Sequence, residues 1–169
     1  VIQRGGSGRK YKSSLMWLRD ANIVTFCARV STPQFPLTAY ESKDEFRIYA
    51  NDTGLLMAMY PFEMKRAVVD NILEGPMKGG LYENLVACML KASGIQLFYW
   101  MSSDSKYEIE FLLDADASVI PIEVKAGRGS TASLNRFLED EKIPYGIKLI
   151  GGNLGETGKK INLPLYMAM

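Results

Sequence analysis

The sequence predicts an α/β fold, and two observations carry that prediction. From Gly80 onward, segments with apolar residues at helical spacing are interleaved with short apolar runs of period two, in the order helix, three strands, helix, strand. The composition is that of a compact chain: 47% of the 169 residues are hydrophobic and 23% charged. That length suffices for one ordinary domain with a sizeable core, or for one domain and part of another.

The chain opens at Val1 without a methionine and with a Gly-rich basic stretch, which reads as a fragment of a longer protein. "RGGSGRKYKSS" lacks the G-x-x-x-x-G-K-[S/T] spacing and no apolar strand precedes it, so it is not a phosphate loop. From Arg9 to Asp20 the pattern is helical: Tyr11, Leu15 and Leu18 form an apolar stripe, with Arg9, Lys12 and Arg19 lining the neighbouring one. "NIVTFCARV" reads as a strand, and a Pro-containing loop then leads to a second strand around "FRIYA". Helix, strand, loop, strand is the tail of a winged-helix unit, in which a basic helix face neutralises DNA phosphates. Arg9, Lys12 and Arg19 are therefore the candidate nucleic-acid contacts, against the alternatives of a solvated arm or a domain-packing unit that never touches DNA.

"DTGLLMAMY" and "EMKRAVVDNIL" read as short helices, and "EGPMKGG" breaks the pattern, placing a domain boundary near residue 75. "GLYENLVACMLKASG" is a strong helix closed by Gly94. "IQLFYWMSS", "YEIEFLLD" and "SVIPIEVKAG" are strands joined by the polar turns "DSK" and "ADA". "TASLNRFLEDEK" is a helix with Thr131 or Ser133 as cap, and "YGIKLI" a further strand. "NLPLYMAM" is an apolar terminal strand open to two pairings, with its own sheet or with a second copy of the chain.

Composition narrows the chemistry. The chain has no histidine, which removes Ser/His/Asp and Cys/His triads and every imidazole-based metal site. Cys27 and Cys88 lack metal-ligand spacing and read as free thiols of a reducing compartment. No apolar run reaches the ~20 residues that span a bilayer and no signal peptide opens the chain, so a soluble cytoplasmic protein without membrane contact is expected. Net charge is +1, but residues 1–30 hold six basic residues against one acid, and the remainder fourteen against eighteen. A basic end on a mildly acidic body points to nucleic acid at that end.

The remaining chemistry belongs to carboxylates and lysine. In "IPIEVKAG" Glu123 and Lys125 share one strand face while Ile120, Ile122 and Val124 share the other. Glu110, with Glu108 on the same face, precedes Glu123 across a hairpin centred on "DADAS", so Glu110 comes to stand beside the Glu123/Lys125 pair. Glu83 shares its helical stripe with Ala87 and Leu90, away from Asn84 and Lys91. An acid on an apolar face needs a partner, which the strands just downstream could supply; the alternative is a place in the first helical turn, where the helix dipole favours an acid. Clustered carboxylates repel unless protonated or bridged, and hard oxygen ligands suit Mg²⁺ or Mn²⁺. Metal-assisted phosphodiester hydrolysis is chemistry that needs no histidine.

Glu83, then Glu110, then Glu123-x-Lys125 across a three-strand meander resembles the PD-(D/E)XK, or restriction-endonuclease-like, superfamily. More narrowly, "KGGLYENLVACMLKASG", "LFYWMSSDSKYEIEFLLD", "VIPIEVKAG" and "INLPLYM" look like the domain of unknown function at the C-terminus of many bacterial and archaeal AAA-type P-loop ATPases. "GRKYKSSLMWLRDANIV" and "FRIYANDTGLLMAM" look like the winged-helix connector that precedes it. The resemblance implies a mixed parallel and antiparallel sheet flanked by helices. It implies Glu110 and Glu123 as metal ligands, Lys125 as catalytic lysine and Glu83 as a supporting acid.

It also implies DNA as substrate and an ATPase module as the chain's own N-terminal partner, ATP binding only in that absent module. The expected division is a truncated winged-helix-like connector at 1–75 and a nuclease-like domain at 76–169. One departure stands out: the superfamily's first strand acid is usually Asp, and Glu110 displaces the carboxylate by about one bond length where placement within ~0.5 Å matters. The alternatives are a catalytically inactive nuclease fold that binds DNA or joins ATPase subunits, and a structural domain whose Glu/Lys pair is a surface ion pair of little weight.

Overall fold

A computed structural model describes residues 8–126 and 130–168, with side chains from Tyr11 onward where helical. The Arg9 side chain, one of the three expected DNA contacts, lies outside the described residues. Helix α1 (Gly8–Asp20) leads into strands β1 (Val24–Val30) and β2 (Glu41–Ala50), which form the expected antiparallel hairpin. Among the described side chains of α1, Leu15 is the buried one, while Trp17 stays 67% exposed. Two short helices follow, α2 (Thr53–Ala58), capped by the Asp52 carboxylate accepting from the Leu55 amide, and α3 (Phe62–Val69).

Helix α4 spans Gly75–Ala92, so the expected break at "EGPMKGG" is instead its first turns. Pro76 sits at the helix start, where a missing N–H costs nothing. Gly79 and Gly80 cost the helix roughly 1 kcal/mol each in propensity. Val86, Ala87 and Leu90 offset that loss by burial against the sheet. Gly94 takes φ +76 just beyond the helix, the left-handed closure anticipated from sequence.

Strands β3 (Phe98–Met101), β4 (Glu108–Ala115) and β5 (Ser118–Lys125) then form the predicted antiparallel meander. Its second turn places Asp116 and Ala117 at φ +49 and +57, the two positive angles a tight two-residue hairpin demands. Helix α5 (Ala132–Phe137) is shorter than predicted, because the Asp140 carboxylate accepts from the Lys142 amide and turns the chain. Thr131 precedes α5 without a side-chain capping bond, and Ser133 is not a cap: its hydroxyl accepts from the Glu108 amide at 3.3 Å. Strand β6 (Gly146–Ile150) starts under α5, where a Cβ on Gly146 would stand 2.8 Å from Leu134. Strands β7 (Gly155–Thr157), which has no strand signature in the sequence, and β8 (Lys160–Pro164) follow.

All eight strands join one mixed sheet in the order β2-β1-β3-β4-β5-β6-β8-β7. β1–β3, β5–β6 and β6–β8 are parallel and the other pairs antiparallel, which is the α/β mixed sheet expected. The terminal strand β8 pairs within its own sheet, but only the start of "NLPLYMAM" is strand: after Pro164 the chain leaves the ladder in a 3-10 turn over Leu165–Met167. Helices cover both faces. Val86, Ala87 and Leu90 of α4 pack with Cys27, Tyr49, Phe111, Ile122, Val124 and Leu149, whereas Leu134 of α5 packs with Ala28, Phe98, Ile109, Leu112 and Val119.

Asn84 does not point outward as its polarity suggests. Only 3% exposed, it donates to the Ala50 carbonyl and accepts from the Ala50 amide, continuing the ladder of β2 with a side chain.

Candidate functional site

The central position of β5 decides what Glu123-x-Lys125 can be. β5 has neighbours on both sides and helices over both faces, and all of its inner residues are buried. Glu123 is 2% exposed and the Lys125 side chain 23%, so a surface ion pair is ruled out. The β4–β5 ladder ends at the pair Phe111–Ile122, and Glu110 and Glu123 are the next residue on each strand beyond it.

A bulge aims Glu110. Phe98 pairs with Leu112 and Trp100 with Ile109, so Glu110 and Phe111 together face the single residue Tyr99. The extra residue kinks β4 where its acid must leave the ladder, a device common beside functional sites. Lys125 Nζ then lies 3.2 Å from Glu110 Oε1 and 3.1 Å from Glu123 Oε1, bridging the two carboxylates. The second oxygen of each, Glu110 Oε2 and Glu123 Oε2, is buried with no hydrogen-bond partner.

Burial pushes the Glu110 carboxyl up to about 7, a rise that the Lys125 charge limits and that of Glu123 reinforces. Burial raises Glu123 too, against Lys125 and, farther off, Lys148 and Lys160. For Lys125 burial alone favours the neutral amine, but Glu110 and Glu123 outweigh it and hold the ammonium above its ordinary pKa.

Two buried carboxylates, each with an unpartnered oxygen, fit a hard divalent cation, which takes few protein carboxylates and completes its shell with water or phosphate oxygens. Among the described residues no group of three or more carboxylates or thiols is set to hold a metal ion; Glu110 and Glu123 are the two carboxylates in contact with Lys125.

Glu83 is placed differently, and not in a first helical turn, since α4 begins at Gly75. It faces the sheet from α4, but its hydrogen bond, 3.5 Å, is from the Tyr49 hydroxyl on β2, not from the downstream strands. Burial raises its pKa, opposed by Arg47 and Lys125 and assisted by Glu108. The structure thus joins Glu110, Glu123 and Lys125 in direct contact and keeps Glu83 beside them, within electrostatic reach.

Arg47 and Tyr49 were not singled out in the sequence. Arg47 lies 4.3 Å over the Tyr99 ring and pairs with Glu108, which ties β2 to the strand carrying Glu110. The signal was available: Arg47-x-Tyr49 in "FRIYA" has the same period-two spacing as Glu123-x-Lys125.

At the other end, Lys12 donates to the Lys43 carbonyl and lies 3.6 Å from Asp44, while Arg19 pairs with Asp20 at 2.9 Å and covers the Phe26 ring. Both side chains are 43% exposed. Lys12 is therefore partly neutralised by Asp44 of the hairpin and Arg19 by Asp20 at the end of α1 itself. Cys27 and Cys88 are free thiols, and no described helix is long and apolar enough to cross a membrane.

An α/β protein with a buried, lysine-bridged carboxylate pair at the end of a strand ladder is the class these features define. Residues 78–166 match the model of a domain of unknown function, DUF4143, and residues 1–66 match that of a second, DUF8612. The chain belongs to the DUF4143 family. No curated protein and no solved structure matches it.

Proposed function

We propose that the chain is a Mg²⁺- or Mn²⁺-dependent DNA phosphodiesterase of the PD-(D/E)XK type, acting as the C-terminal part of a AAA-type ATPase whose own module binds ATP. The observation that carries this reading is the pair of buried, unpartnered oxygens Glu110 Oε2 and Glu123 Oε2 on either side of Lys125. The order of α4, meander, α5 and β6 supports the nuclease-like reading, and the β1–β2 hairpin extends the same sheet through β3.

When bound, a divalent cation supplies Lewis acidity and a nucleophilic water at a phosphodiester. The protein's part is to hold Glu110 and Glu123 in place by burial and to keep Lys125 protonated between them. From there the ammonium can meet charge developing on a phosphate oxygen. Glu83, fixed by Tyr49, adds negative charge on the α4 side.

Calorimetric titration of Mn²⁺ into the wild type and Glu123→Ala tests the metal site without a guess about substrate. Uptake by the wild type that vanishes in the variant is expected, together with DNA cleavage lost in Glu123→Ala and Lys125→Ala while both remain folded. Absence of Mn²⁺ uptake and of cleavage in the wild type leaves the non-catalytic DNA-binding or subunit-joining role.

A further inference from the structure

On the face of the sheet opposite α4, helix α5 and the start of β4 enclose a cavity of about 200 Å³ lined by Trp100, Tyr107, Ser133, Arg136, Phe137 and Asp140. Three of its lining side chains are aromatic: Trp100 meets Phe137 edge-on with ring centroids 5.6 Å apart, and the Arg136 guanidinium lies 4.6 Å over the Tyr107 ring. None of the three rings is fully buried and Arg136 is exposed, so the cavity opens to solvent.

Hydrogen bonds and strand register connect the surroundings of this cavity with those of the carboxylate pair. The Ser133 hydroxyl on its wall accepts from the amide of Glu108, two residues before Glu110. From the other direction, Lys148 on β6 is in register with Glu123, Lys160 lies on the next strand, and Lys160 Nζ donates to Asn135 Oδ1, the residue before Arg136. Lys125, Lys148, Lys160 and Arg136 thus make a cationic path from Glu123 to the cavity mouth.

Aromatic faces take any planar heteroaromatic ring, and a line of cations follows a phosphate backbone; single-stranded nucleic acid is the ligand that carries both. We infer that this cavity is a nucleobase pocket, which receives an unpaired base while the adjoining backbone runs along Lys160 and Lys148 toward Glu110 and Glu123. The inference rests on the nucleic-acid reading above for its class of ligand. A base within a duplex is already stacked on its neighbours and must leave the helix to enter, so single strands are preferred.

The test uses Trp100 itself. The other tryptophan, Trp17, is on α1, and in a Trp17→Phe protein Trp100 is the only indole. Titration with an oligothymidylate of about ten nucleotides should quench Trp100 fluorescence, whereas an abasic strand of equal length, with the same phosphates, should not. Tyr107→Ala should weaken binding of the oligothymidylate about 10-fold. Arg136→Gln, at an exposed position that leaves folding intact, should weaken it by a similar factor.

Equal quenching by the abasic strand, or affinity unmoved by both substitutions, overturns the pocket. Calorimetry with Mn²⁺ alone keeps the two readings apart. Mn²⁺ uptake without base-dependent quenching overturns the pocket and leaves the metal site; base-dependent quenching without Mn²⁺ uptake supports the pocket and removes the metallonuclease.

Discussion

Glu110 should make the metal-free protein lose stability as pH rises, the reverse of the usual carboxylate behaviour. Its carboxyl titrates near 7 in the folded chain against 4.5 for an unperturbed glutamate. Between those values the native state retains a proton that the unfolded chain has released, so the unfolding free energy falls with rising pH. Below about 4.5 there is no penalty, and above about 7 it is complete. At about 1.4 kcal/mol per pH unit the whole interval is worth about 3 kcal/mol. For a chain of this length that corresponds to about 6–12 °C in melting temperature.

Glu110→Gln removes the titration while keeping the side chain's size. Thermal melts of both proteins from pH 5 to 8, in chelator, should show a steep fall for the wild type and a much shallower one for the variant. What remains in the variant comes from Glu123 and Glu83, whose pKa values are also raised by burial. Parallel profiles for the two proteins, or a wild type that gains stability toward pH 8, would refute the reasoning.

Four further outcomes are expected. Lys125→Met strands two buried carboxylates and should cost about 3–5 kcal/mol at pH 8 by denaturant unfolding, with much of the loss regained at pH 5.5, where Glu110 is protonated. Asn84→Ala leaves the Ala50 amide and carbonyl without their side-chain partner and should cost about 1–3 kcal/mol, with faster hydrogen exchange at the Ala50 amide as the local signature. A double-mutant cycle on Arg47 and Glu108 should return a coupling of about 1 kcal/mol, since both side chains are partly solvated; a value near zero would mean that the pair does not tie β2 to β4. Burial lifts the Cys27 thiol to about 12, so a thiol reagent at pH 8 should leave it unmodified in the folded protein, and Cys27→Ser should leave the native labelling unchanged.

What the sequence reveals about this molecule is its local part. The three meander strands, the turn at Asp116 and Ala117, and the contact of Lys125 with Glu123 all follow from period-two alternation and short connections. The meeting of Glu110 with that pair followed from hairpin register, but its cause did not. A bulge at Glu110 and Phe111 has no residue signature and shows only as a one-residue offset between two ladders.

Long-range placements were the hidden ones. Glu83 found its partner in Tyr49, thirty-four positions earlier, because β2 returns to the sheet beside α4. Asn84 looked like a solvent-facing position until the end of β2 supplied two backbone groups to satisfy it. The helical character of Gly75–Gly80 was masked by glycine propensity, which tertiary packing of the later turns overrides.

The seam between the two family matches, after residue 66 and before residue 78, is not a seam in the sheet. β1 is laddered to β3 through Ala28–Phe98 and Arg29–Tyr99, and β3 to β4 across the bulge that sets Glu110. A chain cut at residue 75 would bare the edge of β3, where Phe98 and Tyr99 are buried, and would take Arg47 and Tyr49 away with it. In mechanical terms the N-terminal hairpin is a lever. A displacement applied there crosses only two hydrogen-bonded ladders before it reaches the strand that aims the first carboxylate.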